Sequence, residues 1–573
     1  MKRVFAVIFS SLILLSVCSC SQDNKNIQTS QKEETVSVSG ETDIKTENIS
    51  ESDTKIQTSD YETAIFGKDV LDINITVDKD KWAEFLKNAA SKPYVQCDIE
   101  IDGETYKDVG IKTKGNTSLQ QLVNDDTTTR YSLKVNFDKY NDGQTCHGLD
   151  KLALNNIYAD STYLKEYMSY DLMKYMNVPS SLCTFAEIKV NGEHFGFYLA
   201  VEDVDDSYIE RNYGSENSVK AYKPESMDMG DKQGNFADMR KKMDNGEMPD
   251  MNNGEFPQMP EGMTPPDMDN GEFPQMPEGM TPPDRDNGEF PQMPDNFDKK
   301  GMGKGGMDGG RNGVDLKYID DNTESYSSIF DNSLNKTTDE DEKRLIESLK
   351  NISEGKDIEK YINTDEVLRY LACNVFLVNL DSYLSSNCHN YILAEDNGQL
   401  SMLPWDYNLS FGSFQSETAS SAVNYAIDTI FNGVSAEDRP LIAKLLESEE
   451  NVEKYHEYLK EIAEKYVQSG IFEQTVNKLS NIIDEYVKND TTSFDGYDAY
   501  KEGVETLKQF TKLRAESVLG QLDGSIPSTS EEQQNSDKLI DTSNLDMKKL
   551  GSMNMGGGKG DFANKFDRRN KTE

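Results

Sequence analysis

The chain has 573 residues, and its 103 acidic against 60 basic residues leave a net charge of −43 at pH 7. Such an excess repels phosphate backbones and anionic headgroups except at a locally basic pocket, so nucleic acid is excluded as a partner. Only 35% of the residues are hydrophobic, too few for a chain of this length to fold throughout, and the deficit sits in three polar segments.

Lys2 and Arg3 open a basic start, Val4 to Val17 are almost all apolar or small, and Cys18 and Cys20 follow. The apolar run falls short of the ~20 residues of a bilayer-spanning helix, so residues 1–20 read as a secretion signal. Val17-Cys18-Ser19-Cys20 resembles a bacterial lipobox, and Ser19 before Cys20 fits that pattern better than Val17 before Cys18. Cys20 is the expected lipid-bearing mature N-terminus, which implies an exported, outward-facing membrane lipoprotein. Residues 21–60 are polar throughout and read as a disordered tether.

Order is expected from Tyr61, and residues 61–226 read as a strand-rich lobe. Leu71-Asp72-Ile73-Asn74-Ile75-Thr76-Val77 alternates with period two, the mark of a half-buried strand, and a short helix with Trp82, Phe85 and Leu86 follows. Further strands are predicted at Val95 to Ile101, Val109 to Thr113 and Tyr131 to Phe137. A helix is predicted from Ser161 to Tyr175. Phe185 to Val190 and Phe195 to Val201 form a hairpin across Asn191-Gly192, a dipeptide suited to a tight turn.

Residues 227–314 collapse into Met, Gly, Pro, Asp and Asn. The block NGEFPQMPEGMTPPD begins at Asn253, recurs at Asn270 and starts again at Asn287. That proline density rules out helix interiors and sheet ladders. The segment reads first as a low-complexity insert without a ligand, and second as a Met-rich arm for a soft metal or for docking. Residues 315–524 read as a helical lobe, interrupted by a hairpin across Asn397-Gly398, and residues 525–573 as a disordered tail. The whole is an α+β chain in two lobes. The cysteines beyond Cys20 and the four histidines are scattered, without zinc or redox spacing. The cysteines read mostly as small buried hydrophobes with at most one or two bridges.

Two carboxylates stand at the edges of apolar runs, where a buried charge is costly without a task. Asp381 follows Leu371 to Leu380, Asp406 closes Leu400 to Trp405, and Asn387-Cys388-His389-Asn390 lies between them. Each alone reads as a cap more readily than a catalyst. Together they supply, in order, the parts of a phosphoryl-transfer site: a base for the acceptor hydroxyl, an amide oxygen for a metal, and a metal-binding carboxylate.

These strings carry a resemblance. NVFLVNLDSYLSSNCHNYIL (374–393) and LPWDYNLSFG (403–412) resemble the paired motifs of the CotH (spore-coat protein H) family of atypical secretory protein kinases. GIKTKGNTS (110–118), RYSLKVNFDKY (130–140), LNNIYADSTYLKEYMSYDLM (154–173), IKVNGEHFGFYLAVEDVDDSYIE (188–210) and KQFTKLRAESVLGQLDG (508–524) are similar to its other segments. The resemblance implies a two-lobed, atypical protein-kinase-like fold without a Gly-rich phosphate loop, using ATP and Mg²⁺ or another divalent cation. It implies transfer of the γ-phosphate to Ser or Thr of surface or secreted proteins.

By the same resemblance Asp381 stands as catalytic base and Asp406 as metal ligand, with Asn390 and Asn408 as further metal contacts. The expected phosphate-side residues are Lys112, Lys114, Arg130 and Lys134, with Glu202 orienting one of them. Gly115, Asn116 and Ser118 offer a phosphate turn, and Trp405 serves either as an adenine platform or as core. The chain departs from the family's Asp-x-Asp pattern at Asp406-Tyr407-Asn408, losing one negative charge. Two other readings share the same residues: a non-catalytic nucleotide-binding or structural lipoprotein, and a transferase of AMP.

Overall fold

Alternation of apolar and polar residues dominates the strand-rich half, and the sheet it produces closes on itself. The computed structural model describes residues 60–215, 219–225, 313–551 and 553. The signal segment with Cys20, the tether up to residue 59, the Met-rich repeat and residues 554–573 lie outside the described residues. Strands β1 (Val70–Thr76), β2 (Val95–Ile101), β3 (Glu104–Thr113), β4 (Leu133–Asn136), β5 (Lys151–Asn155), β6 (Cys183–Val190) and β7 (Glu193–Glu202) run β1-β2-β3-β4-β5-β7-β6 around a closed barrel. Parallel pairing of β1 with β6 closes it.

The alternate residues point inward. Leu71, Ile73, Ile75, Ile99, Val109, Ile111, Leu133, Val135, Leu152, Leu154 and Ile188 are fully buried in one apolar core. Each such side chain stabilises the fold by about 1.5–3 kcal/mol, and a single Ile99→Ala costs about 2–5 kcal/mol. Asn191 and Gly192 have φ of 52° and 81°, the left-handed pair that a two-residue hairpin turn demands. Asn397-Gly398 repeats this between β9 (Tyr391–Asp396) and β10 (Gln399–Pro404).

Numbering only helices of nine or more residues, these are α1 (Lys79–Lys87), α2 (Lys165–Tyr175), α3 (Asp339–Ser353), α4 (Thr364–Phe376), α5 (Glu449–Glu461), α6 (Ile471–Asn489) and α7 (Tyr497–Leu522). α3 opens on a capping box between Thr338 and Asp341. The described residues thus form a strand-rich half followed by a helical one. The second sheet, in the order β10-β9-β8, crosses the division, because β8 (Lys220–Tyr222) comes from the first half.

Several expectations meet a different structure. The first half is strand-rich as expected, and its seven strands close into a barrel, a detail the expected kinase-like lobe did not include. The helix expected from Ser161 starts at Lys165, because both oxygens of Asp160 are taken by the backbone of Thr162 and Lys165 and Tyr163 has a φ of 61°. β5 and β8 are strands that alternation did not reveal. The tail expected to be disordered from residue 525 is packed as far as residue 551: Leu550 is fully buried and Leu545 nearly so. The cysteines among the described residues are all free thiols, and burial pushes Cys97 and Cys146 up to about 12.

Candidate active site

Helix α4 ends where Val378 takes a φ of 48°. A β-branched residue in that region costs on the order of 1–3 kcal/mol and persists only when its neighbours enforce it. Here they do. Buried Arg514 donates to the carbonyls of Val375 and Phe376, at the C-terminal end of the helix where a cation is favoured. Phe411 and Gly412 donate to the carbonyls of Leu377 and Val378 at 2.6 and 3.3 Å. The chain is thereby turned toward Asp381, whose N–H donates to Asn379 Oδ1 at 3.2 Å. Buried Arg439 holds the next stretch through the carbonyls of Tyr383 and Ser385, both at 2.5 Å. The Asp381 carboxylate accepts from Asn387 at 2.9 Å and Asn390 at 2.8 Å.

Asp406 follows β10 with a φ of 59°, and its N–H donates to Tyr170 Oη at 3.3 Å. Buried Tyr407 donates to Asn374 Oδ1 at 2.9 Å, which ties this segment back to α4. Cys388 and Asn390 also have positive φ. Positive-φ backbone thus flanks both aspartates.

The barrel rim supplies the opposite wall. Lys114 follows β3 and donates its Nζ to Asn155 Oδ1 at 2.5 Å; the ammonium stands 5.2 Å from the centre of the Trp405 ring. Asn155 ends β5, and its Nδ2 donates to Glu166 Oε2 at 2.7 Å. Glu166 lies in the first turn of α2, and Tyr170, one turn on, donates to its Oε1 at 3.2 Å. A relay of contacts thus runs from Lys114 through Asn155, Glu166 and Tyr170 to the backbone of Asp406.

The charges in this cleft do not cancel. Burial, and then the negative charge of Asp406, push Glu166 up to about 7. Burial lowers Lys114, against the pull of Asp406 and Glu166. Burial raises Asp381, to which Asp406 adds like-charge repulsion while Asn387 and Asn390 oppose it. Carboxylates crowded around Lys114, with the neighbouring Lys223 already paired to Glu225, create a demand for added positive charge.

The other expected residues are spread more widely. Gly115 follows Lys114 with a φ of 99°, Asn116 accepts from Lys92 at 2.7 Å, and a Cβ on Gly115 would stand 2.9 Å from Ser118 Oγ. Lys112 and Lys134 face each other across β3 and β4, and Lys134 pairs with buried Asp203. Arg130 lies outside the cleft: its guanidinium donates to Asp490 at 2.5 Å, to the Asn156 carbonyl at 3.1 Å and to the Phe197 carbonyl. Glu202 orients none of the expected cations, because its oxygens accept from Tyr61 at 2.7 Å, the Leu182 N–H at 3.0 Å and Arg211 at 2.5 and 2.9 Å. Trp405 is 6% exposed in a small core with Lys114 and Lys223 over its ring, a support for Lys114 rather than an open adenine platform. Asn408 donates to the Tyr158 carbonyl at 3.2 Å.

Asn155, Glu166 and Tyr170 escaped sequence reasoning. The available signal was a carboxylate and a tyrosine four residues apart on a helix otherwise rich in core residues, which places both on one face.

The family model described as CotH kinase protein matches residues 111–256 and 299–518. The chain belongs to the CotH kinase family. No curated protein matches it. The matched segments contain Lys114, Asn155, Glu166, Asp381 and Asp406, whereas the packed residues after 518 lie outside them.

Among the described residues no three His, Cys, Asp or Glu side chains stand close enough to hold a metal ion by themselves. The donor chemistry nevertheless fits a hard divalent cation of the Mg²⁺ type, which takes one or two carboxylates and completes its shell with water and phosphate oxygens. The Asp406 carboxylate offers two oxygens to such an ion. Asn390 and Asn408 spend their Nδ2 groups on Asp381 and Tyr158, leaving amide oxygens as donors.

Proposed function

We propose that this cleft transfers the γ-phosphate of ATP to Ser or Thr hydroxyls of surface or secreted proteins. The observation that supports it is Lys114, oriented through Asn155 by Glu166, beside Asp406, which in turn neighbours Asp381, in a site with surplus negative charge. Lys114 would donate to phosphate oxygens. Asp381 would take the proton of the acceptor hydroxyl as its oxygen bonds to the γ-phosphorus and the bridging P–O bond to ADP breaks. The raised pKa of Asp381 suits a base, and its two amide partners fix the carboxylate for that transfer. A divalent cation held by Asp406 with Asn390 and Asn408 would offset the phosphate charge. Asn408, in place of a second carboxylate, supports a weaker hold on that cation.

Labelled ATP with Mg²⁺ and a generic Ser/Thr acceptor tests the reading on the exported chain. Transfer from γ-labelled ATP, lost in Asp406→Ala together with Mg²⁺-dependent nucleotide binding, is the expected result. Label arriving only from the α-position makes the protein an AMP transferase, and no label from either makes it a non-catalytic binder. Export and anchoring through Cys20 belong to the same reading: Cys20→Ala should release the protein from membranes, and Cys18→Ala should not.

A further inference from the structure

Residues 525–551 lie beyond the segment that the CotH model covers, yet they return to the most constrained part of the site. After α7 the Ser528 carbonyl accepts from the Asp428 N–H at 3.0 Å, and the Ser530 N–H donates to Thr429 Oγ1 at 3.1 Å. Buried Asn424 then grips Ile540 at both backbone atoms, at 2.9 and 3.2 Å. The segment runs along α7, where a Cβ on Gly503 would stand 2.8 Å from the Lys549 carbonyl oxygen. Leu550 enters the main core, and its carbonyl accepts from the Ser161 N–H at 3.3 Å. Gly551, at a φ of 84°, leaves no room: a Cβ there would stand 2.6 Å from the Ala159 carbonyl oxygen and 2.7 Å from the Ser161 nitrogen. Met553 packs on the cluster of Ala159, Leu409 and Phe414 beside Tyr158.

The receptor of these contacts is the loop that feeds the site. Ile157, Ala159 and Tyr163 have φ of 62°, 63° and 61°, an unfavourable run that outside packing must enforce. From this loop the Tyr158 carbonyl accepts from Asn408, and the Ala159 carbonyl accepts from Lys165 Nζ at 2.9 Å. Lys165 also donates to Ser413 Oγ at 2.8 Å, and the next residue is Glu166. The loop therefore sets both the start of α2 and the amide beside Asp406. Few side chains of the segment are deeply buried, so it is the kind of unit that opens locally at a free energy below that of global unfolding.

We propose that residues 540–551, with Met553, are a positioning strap, which through the 157–163 loop places Glu166 and Asn408 and so fixes the affinity of the cleft for metal-bound nucleotide. This rests on the kinase reading above. Neither Leu550 nor Gly551 touches substrate; they act through the loop.

The test compares the full exported chain with one ending at residue 539 and with Gly551→Val in the full chain. Hydrogen exchange of residues 157–166 and 406–410 is measured beside the dependence of ATP binding and of kcat and KM on Mg²⁺ concentration. Both variants should exchange faster in the two segments and need about 10–100-fold more Mg²⁺ or ATP for half-saturation, on the scale of an outer-shell metal partner. KM should rise more than kcat falls. A synthetic peptide of residues 538–553 added to the shortened chain should restore both readouts, and Leu550→Met should behave as the parent. If the shortened chain does not fold, Gly551→Val carries the test. Unchanged exchange, or unchanged Mg²⁺ dependence with exchange accelerated, overturns the strap. If the intact chain binds no ATP with Mg²⁺ at all, the kinase reading falls instead, and exchange alone decides whether the segment holds the loop.

Discussion

The strand-rich and helical halves meet at two buried charged places, the joint at Arg130 and the cleft at Lys114. At the joint every charge is answered: Arg130 donates to Asp490 and to two carbonyls, while Thr492 donates to Asp490 from its N–H at 3.1 Å and its hydroxyl at 2.8 Å, and Tyr163 and His194 reach it at 3.2 Å each. Burial pushes Asp490 up, but the charge of Arg130 together with hydrogen bonds from Arg130, Thr492 and His194 holds it below the usual carboxylate range. In the cleft the sign reverses, and Glu166 and Asp381 are both raised by burial and by Asp406. Balanced buried charge makes a structural joint; unbalanced buried charge, kept at a cost to stability, makes a place for a charged ligand.

If that contrast is right, the largest change comes from breaking the joint. Arg130→Met leaves Asp490 buried without its partner and should cost about 3–5 kcal/mol, read by denaturant unfolding, while the folded fraction keeps its affinity for ATP with Mg²⁺. A loss of affinity larger than the loss of stability would move Arg130 into the site after all. Next comes Asp381→Asn, which should leave nucleotide affinity nearly intact while turnover falls by about 10² or more. Loss of binding in that variant would mean that Asp381 and Asp406 have exchanged roles.

Glu166→Gln should act in opposite directions on stability and activity. The folded pKa of Glu166 lies at about 7 against an ordinary 4.5, so its charge penalises the empty fold fully above pH 7 and not at all below about 4.5. The variant should therefore gain roughly 1–3 kcal/mol at pH 8, lose that gain as pH falls from 7 toward 4.5, and bind ATP more weakly throughout. A gain that does not vary with pH would show that the charge is not its source. The smallest effect is expected where neither charged place is touched. The described ends of the Met-rich insert both rest on the 326–329 turn, Glu225 through its N–H to the Ser328 carbonyl and Gly313 against Tyr326 and Ile329. Replacing residues 227–312 with a short Gly/Ser linker should raise stability by about 1–2 kcal/mol through loop closure and leave both places unchanged. A marked loss of stability would show that the insert packs on the body.

The barrel strands other than β5 were legible because side-chain alternation is a local property, fixed by which residues face a core. The turns at Asn191-Gly192 and Asn397-Gly398 were legible because only a few residue types accept positive φ twice in succession. Asp381 and Asp406 could be read because each interrupts an apolar run. The partner of Lys114 could not. Glu202 is a carboxylate at a strand end, as Glu166 is one at a helix start, and nothing local separates them. Closure of the barrel turned the first toward Arg211 and Tyr61 and the second, through Asn155, toward Lys114.

The tail shows the same division. Residues 525–551 are polar enough to read as unfolded, since their few apolar residues bury little surface among themselves. They are ordered because the body supplies the other side: Asn424 for Ile540, the main core for Leu550, and the 157–161 loop for Gly551. The sequence by itself determined most of the strands, the tight turns, the family and the two aspartates at the edges of apolar runs, all carried by patterns a few residues long. Only the tertiary structure decided which buried charges cancel and which remain, because desolvation and pairing depend on neighbours that lie tens to hundreds of residues away along the chain.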